Sequence, residues 1–86
     1  MMKPDQLLIR LKAGHLQNVR FADFTSLAEA FGFELKRISG SHHIFAHPTI
    51  TTPLSLQEHR GEAKPYQIRQ FLRVIEAHNL KLEDRP

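Results

Sequence analysis

The spacing of apolar residues changes along this chain from helical to alternating and back to helical, and those changes mark its elements. Phe24, Leu27, Ala28 and Phe31 fall at i, i+3, i+4 and i+7, which predicts a helix with Asp23 as N-cap and Gly32 at its end. Residues 33–39 alternate imperfectly, as in a half-exposed strand, and Gly40-Ser41 supplies a tight turn into a second strand over 42–47. Pro48-Thr49 makes another turn, and the β-branched run Ile50-Thr51-Thr52 continues through Pro53 to Leu56 as a third strand. Pro53 cannot donate to a ladder, so this strand is expected at an edge or to start late. A polar loop around Gly61 follows over 57–63.

Lys64-Pro65 then opens a last helix, with proline in its first turn and Ile68, Phe71, Leu72 and Ile75 as its buried stripe. Tyr66, Arg69 and Arg73 fall on the opposite side, and the helix closes at Asn79 or just beyond. At the other end of the chain Pro4, Leu7, Leu8 and Leu11 predict a short helix stopped by Gly14, joined to the rest by a linker over 15–21. Positions 81–86 read as a frayed tail.

The fold class that follows is α+β. A three-stranded antiparallel sheet cannot bury its apolar face alone, so the Phe24/Phe31 and Ile68/Phe71 stripes are expected to pack on it, leaving the other face free for function. With 86 residues the chain forms one domain, to which the N-terminal helix is added and a tail over 81–86 appended. It has no cysteine, which excludes disulfides and thiolate zinc sites. No apolar run approaches the ~18 residues of a membrane span and the N-terminus lacks a signal-peptide core, so a cytoplasmic protein is the expectation. The net charge of +3 suits a polyanionic partner only modestly.

Chemistry concentrates in Gly40-Ser41-His42-His43-Ile44-Phe45-Ala46-His47-Pro48, because imidazole takes or gives a proton near neutral pH, with an ordinary pKa of ~6.5. Metal binding does not suit the pattern. Neighbours in a strand point to opposite faces, and residues four apart lie about 13 Å from each other at ~3.3 Å per residue. His43 and His47 therefore cannot share one ion, whose nitrogen ligands sit at ~2.0–2.1 Å. The plainer alternative is a fortuitous surface run of histidines.

Three segments carry a family resemblance: Gly32-Phe33-Glu34-Leu35-Lys36-Arg37, then Gly40-Ser41-His42-His43-Ile44-Phe45 with His47-Pro48, then Lys64-Pro65-Tyr66-Gln67-Ile68-Arg69-Gln70. Together they resemble the HicA mRNA interferase toxins, the YcfA-like family, over about residues 18–80, which implies a main domain over 18–80 with an N-terminal helical extension (1–17) before it and the tail (81–86) after it. The resemblance implies a fold like a double-stranded RNA-binding domain, α-β-β-β-α, here with an additional N-terminal helix. It also implies a toxin that cleaves mRNA with neither metal nor other cofactor and is neutralised by a HicB antitoxin. The family's histidine, the last of Gly-Ser-X-His, lands on His43; His42 takes the variable position.

Elementary chemistry is compatible with that assignment. RNA carries its own nucleophile, the 2′-hydroxyl, so a neutral imidazole at His43 acting as base would suffice to start cleavage, leaving a 2′,3′-cyclic phosphate and a 5′-hydroxyl. Lys64, Tyr66 and Arg69 are candidates to hold the phosphate, against the alternative of an ordinary solvated helix face. Ser41 is a candidate phosphate donor or simply a turn residue. Lys36 and Arg37 are candidates for the RNA backbone or an exposed strand face. His15, His59 and His78 show no supporting pattern, and His47 suits a structural role at the strand's end. The stripe on the N-terminal helix is a candidate for homodimerisation or antitoxin docking. Two other functions compete with the ribonuclease: a non-catalytic RNA-binding module of the same fold, and an interaction protein docking an acidic partner.

Overall fold

The computed structural model describes residues 2–82. In chain order the elements are α1 (Pro4–Lys12), β1 (Val19–Arg20), α2 (Phe21–Ala30), β2 (Glu34–Ser39), β3 (His42–His47), β4 (Ile50–His59), β5 (Glu62–Ala63) and α3 (Pro65–Ala77). The strands form one antiparallel sheet in the order β1-β5-β4-β3-β2. Among the described residues no helix is long and apolar enough to cross a membrane. The tail expected over 81–86 lies outside the described residues from position 83 on.

The three expected strands are present as β2, β3 and β4, but the sheet has five strands, not three. The two further strands, β1 and β5, are short and lie in segments whose spacing predicts a linker and a loop. The 57–63 stretch is a hairpin rather than a loop: β4 runs on to His59, and Arg60 (φ 52°) and Gly61 (φ 79°) form the turn into β5. Positive φ at both central residues is the pattern of a type I′ turn, whose twist matches that of the flanking strands. Arginine in the left-handed region is rare enough that Arg-Gly does not announce such a turn. The 15–21 linker likewise ends in β1, with Val19 opposite Ala63 and Arg20 opposite Glu62.

Gly40, with φ +60°, opens the two-residue turn between β2 and β3, closed by the Ser39–His42 pair. A left-handed first position suits glycine, and nothing lies within 4 Å of where a Cβ would stand, so backbone conformation alone sets that preference. Pro53 lies within β4, which does not start late. It falls where the β3–β4 register shifts between Phe45 and His47, and β5 pairs only with Glu58 and His59, so β4 is an edge strand at Pro53.

Both expected helical stripes pack on the sheet. Phe24, Leu27, Ala28 and Phe31 from α2 and Ile68, Phe71 and Ile75 from α3 are buried with Phe45, Leu54 and Leu56 from the strands. Phe71 is the hub: its ring meets Phe24, Phe31 and Phe33 at centroid separations of 5.3, 5.8 and 5.9 Å. Edge-to-face and tilted geometry of this kind favours aromatic pairs beyond their buried area. α2 begins at Phe21, two residues before the Asp23 expected as its cap; Arg20 takes that place, without a side-chain capping bond, and Asp23 sits in the first turn, where its charge suits the helix dipole. Lys64 and Pro65 start α3 as expected. Its end is a Schellman motif, with Asn79 at φ 56° and the Leu80 N–H donating to the Ile75 carbonyl at 2.8 Å.

The first helix is also placed differently from expectation. Leu7 and Leu11 are buried in the common core against α2, so they form no exposed stripe. Ile9, 70% exposed, is the large apolar residue that α1 shows to solvent.

Candidate functional site

The β2–β3 turn, the end of β4 and the first turns of α2 and α3 meet at one end of the sheet, and His43 lies among them. Side chains alternate along β3, so His43 and His47 share the face of buried Phe45, while His42 and Ile44 take the other. His43 thus stands on the helix-covered face and not on the helix-free face that was expected to be open for function. That face bears Arg37, His42 and Ser55, linked by the pairs Arg37–Ile44, Ile44–Ser55 and Ser39–His42.

His43 is half-buried rather than enclosed. Its cross-strand neighbours are Leu56, which is buried, and Ile38 on the edge strand β2, which is 57% exposed. One flank of the ring therefore rests on the core and the other opens to solvent. The ring of Phe21, the first residue of α2, meets it edge-on at 4.8 Å. Phe21 is itself tied to the β4–β5 turn, its N–H donating to the Gly61 carbonyl at 2.9 Å.

His43 Nδ1 lies 3.4 Å from the Ser41 carbonyl oxygen. A carbonyl only accepts, so this long contact is a hydrogen bond when Nδ1 carries the proton, and in the neutral ring Nε2 then keeps its lone pair. Nε2 has no hydrogen-bond partner among the described residues. The same Ser41 carbonyl accepts the Glu58 N–H at 3.1 Å, and Ser41 Oγ accepts from Gln57 Nε2 at 3.3 Å. Because Gln57 is the donor there, the hydroxyl hydrogen of Ser41 is free to point elsewhere.

Gln57 is held in turn. Its backbone N–H donates to Oε1 of Gln67, on α3, at 2.7 Å. Beyond Ala63 the chain leaves β5 for the helix, and the Gln67 amide takes the place a longer β5 would have had beside β4. Gln67 is 7% exposed and is the one buried polar side chain among the described residues. Sequence reasoning missed both glutamines and Phe21. The available signal was Gln67 itself, which stands at i, i+4 and i+8 with Phe71 and Ile75 and so interrupts a buried stripe with an amide.

The other two strand histidines are engaged elsewhere. His47 donates from Nε2 to the Phe31 carbonyl at the end of α2 (3.0 Å) and accepts the Thr49 N–H at Nδ1 (3.2 Å), so both its nitrogens are used. His42 Nδ1 lies 3.3 Å from Ser55 Oγ on the open face.

Of the expected RNA-contacting residues, Ser41 is beside His43, and Lys64 and Tyr66 are at the start of α3, within one turn of Gln67. Tyr66 is 53% exposed and Arg69 is also exposed. Lys36 and Arg37 are not brought to the ring. A register shift between Leu35 and Arg37 leaves Lys36 at a bulge, paired with Glu34 at 3.2 Å, and turns Arg37 to the open face. The Lys36–Glu34 pair is solvent-exposed, a setting in which ion pairs contribute little.

The family model described as the HicA toxin of bacterial toxin-antitoxin matches residues 21–77, from the first residue of α2 to the last of α3. The chain belongs to the HicA toxin family. Among curated proteins and among solved structures, none matches it. The matched span of this HicA-family chain contains His43 and every element around it, whereas α1 and β1 precede it. Membership identifies the chain with the toxin side of a toxin-antitoxin pair and implies an antitoxin partner.

Proposed function

We propose that this HicA-family toxin is a metal-independent endoribonuclease that cleaves mRNA with His43 as its general base. The observation that carries the reading is the state of that ring: Nδ1 lies toward the Ser41 carbonyl, Nε2 has no partner among the described residues, and one flank is open. A base must reach the proton it removes, and Nε2 is the nitrogen available to an incoming ribose.

In the proposed step Nε2 takes the proton of the 2′-hydroxyl, O2′ attacks the adjacent phosphorus, and the bond from phosphorus to O5′ breaks. The leaving O5′ takes a proton from water, and the imidazolium returns its own to solvent. The products are a 2′,3′-cyclic phosphate and a 5′-hydroxyl, and no electrons are exchanged with any cofactor. Charge building on the phosphate is met by Lys64, Tyr66 and Arg69 from α3 and by the free hydroxyl hydrogen of Ser41, donors aimed at charge that grows in the transition state. Lys36 and Arg37 serve RNA farther along the strand, where they contribute to binding and not to the chemical step. A HicB-type antitoxin holds the toxin inactive in the cytoplasm until it is removed.

Incubation of the purified protein with single-stranded RNA tests the proposal. Cleavage is expected with wild type and His42→Ala, to cyclic-phosphate ends, and to be lost in His43→Ala and on 2′-deoxy substrate. Full cleavage by His43→Ala would refute it, while RNA binding without cleavage by every variant, wild type included, would point to a non-catalytic module.

A further inference from the structure

We infer that Gln67, acting through Gln57 and Ser41, is a positioning residue that sets the tautomer of His43. The inference rests on the ribonuclease reading for its purpose, but its geometry and its principal test do not involve RNA.

A neutral histidine side chain in water favours the tautomer with its proton on Nε2, which would occupy the nitrogen needed as base. Reversing that preference requires an acceptor held beside Nδ1. Here the acceptor is the Ser41 carbonyl, and Ser41 sits in a tight turn at the tip of a hairpin, where a backbone is otherwise easily displaced.

Three bonds oppose that displacement. Glu58 N–H holds the carbonyl itself at 3.1 Å, Gln57 Nε2 holds Oγ of the same residue at 3.3 Å, and Gln67 Oε1 holds the Gln57 N–H at 2.7 Å. The first two come from consecutive residues of β4, so the position of Ser41 depends on where that strand ends. The third fixes the strand's end to buried Gln67 in the first turn of α3. A carbonyl has two lone pairs, so Ser41 accepts from Glu58 and from His43 Nδ1 together. Phe21 limits the ring's rotation from the other side. The path from Gln67 to the imidazole thus consists of named contacts, each with one partner on a regular element.

Histidine labelled with 15N in the full-length protein reports the tautomer through long-range proton–nitrogen correlations at a pH where the ring is neutral. Wild type is expected to show the His43 proton on Nδ1. Gln57→Ala, which removes the bond to Ser41 Oγ but keeps the backbone bond to Gln67, is expected to shift the population toward Nε2–H, and Gln67→Leu to shift it further. Gln67→Glu retains an acceptor for the Gln57 N–H and should restore the wild-type signal.

In cleavage assays kcat should fall by up to about 100-fold in Gln67→Leu, the scale of a misplaced reacting group, with KM staying within about twofold. A wild-type ring protonated on Nε2, or an unchanged tautomer in Gln57→Ala, overturns the inference. Should Gln67→Leu fail to fold, Gln67→Asn, whose shorter amide does not reach the Gln57 N–H, takes its place, and an unchanged tautomer in it likewise overturns the inference. If His43→Ala cleaves as well as wild type, the functional reading falls, and the tautomer comparison still decides this one.

Discussion

The rings of His43 and Phe21 meet edge-on, with centroids 4.8 Å apart and planes at 63°. Phe21 is buried as the first residue of α2, so the half-exposed imidazole is backed by a side chain that belongs to the core. An aromatic edge contact of this type contributes about 0.5–1.5 kcal/mol beyond buried area and fixes ring orientation.

Phe21→Leu keeps an apolar side chain at that position but removes the aromatic edge. Unfolding free energy in urea should drop by about 1–2 kcal/mol, with RNA cleavage falling by up to about 100-fold from loss of alignment. Phe31→Leu is the comparison, since Phe31 packs on Phe71 and not on His43: similar destabilisation without a comparable loss of cleavage is expected. Equal losses in both variants would mean that Phe21 supports the fold and nothing more.

Phe71→Ala removes the ring on which Phe24, Phe31 and Phe33 converge. A cost of about 3–5 kcal/mol is expected, a large share of the ~5–15 kcal/mol that stabilises a typical domain. Circular dichroism during thermal unfolding would register the change, and a shift of only a degree or two in the midpoint would contradict the packing described.

Gly40→Ala places a Cβ in open space at φ +60°, so any loss reflects backbone strain rather than a clash. About 1–2 kcal/mol is expected, and Gly40→Asn should lose clearly less because asparagine tolerates the left-handed region. Denaturant midpoints of the two variants supply the check; identical midpoints would argue against a strained turn.

His47 ties β3 to the end of α2 through Phe31 and to its own turn through Thr49. His47→Ala leaves the Phe31 carbonyl and the Thr49 N–H without these partners, and should cost about 1–3 kcal/mol. His42→Ala, on the exposed face, should stay within ~0.5 kcal/mol. The reverse ranking in urea unfolding would show that the structural histidine has been misassigned.

RNA affinity of an inactive His43→Ala protein should fall linearly with the logarithm of salt concentration, with a slope of about −0.7 for each phosphate neutralised on a single strand. Adding Lys64→Ala or Arg69→Ala should each make that slope shallower by ~0.7. Titration by fluorescence anisotropy at several salt concentrations gives the slopes, and no change in either variant would remove α3 from the RNA-binding surface.

Several features were legible in the chain itself. The stripes of α2 and α3, the Gly40-Ser41 turn, strands β2 to β4 and the helix start at Lys64-Pro65 depend on residues at most a few positions apart, and local spacing records them. Motif spacing likewise carried the family. What could not be read this way was set by partners distant in sequence. Val19 pairs with Ala63 and Gln57 with Gln67 only because the completed core brings α2 and α3 to the same end of the sheet.

The face shown by His43 is the clearest case. Ile44 and Phe45 are adjacent apolar residues pointing opposite ways, so alternation along β3 was equally consistent with either face being covered. Packing decided between them: Phe45 lines up with Leu54 of β4 and is buried with Leu54, Leu56, Ile68 and Phe71, and His43 follows Phe45 by the geometry of the strand. The sequence by itself determined that an imidazole would stand one residue beyond a glycine turn's exit. Only the tertiary structure decided that it would stand against Phe21 with Ser41 at its Nδ1, because those contacts depend on where helices land and not on how a strand alternates.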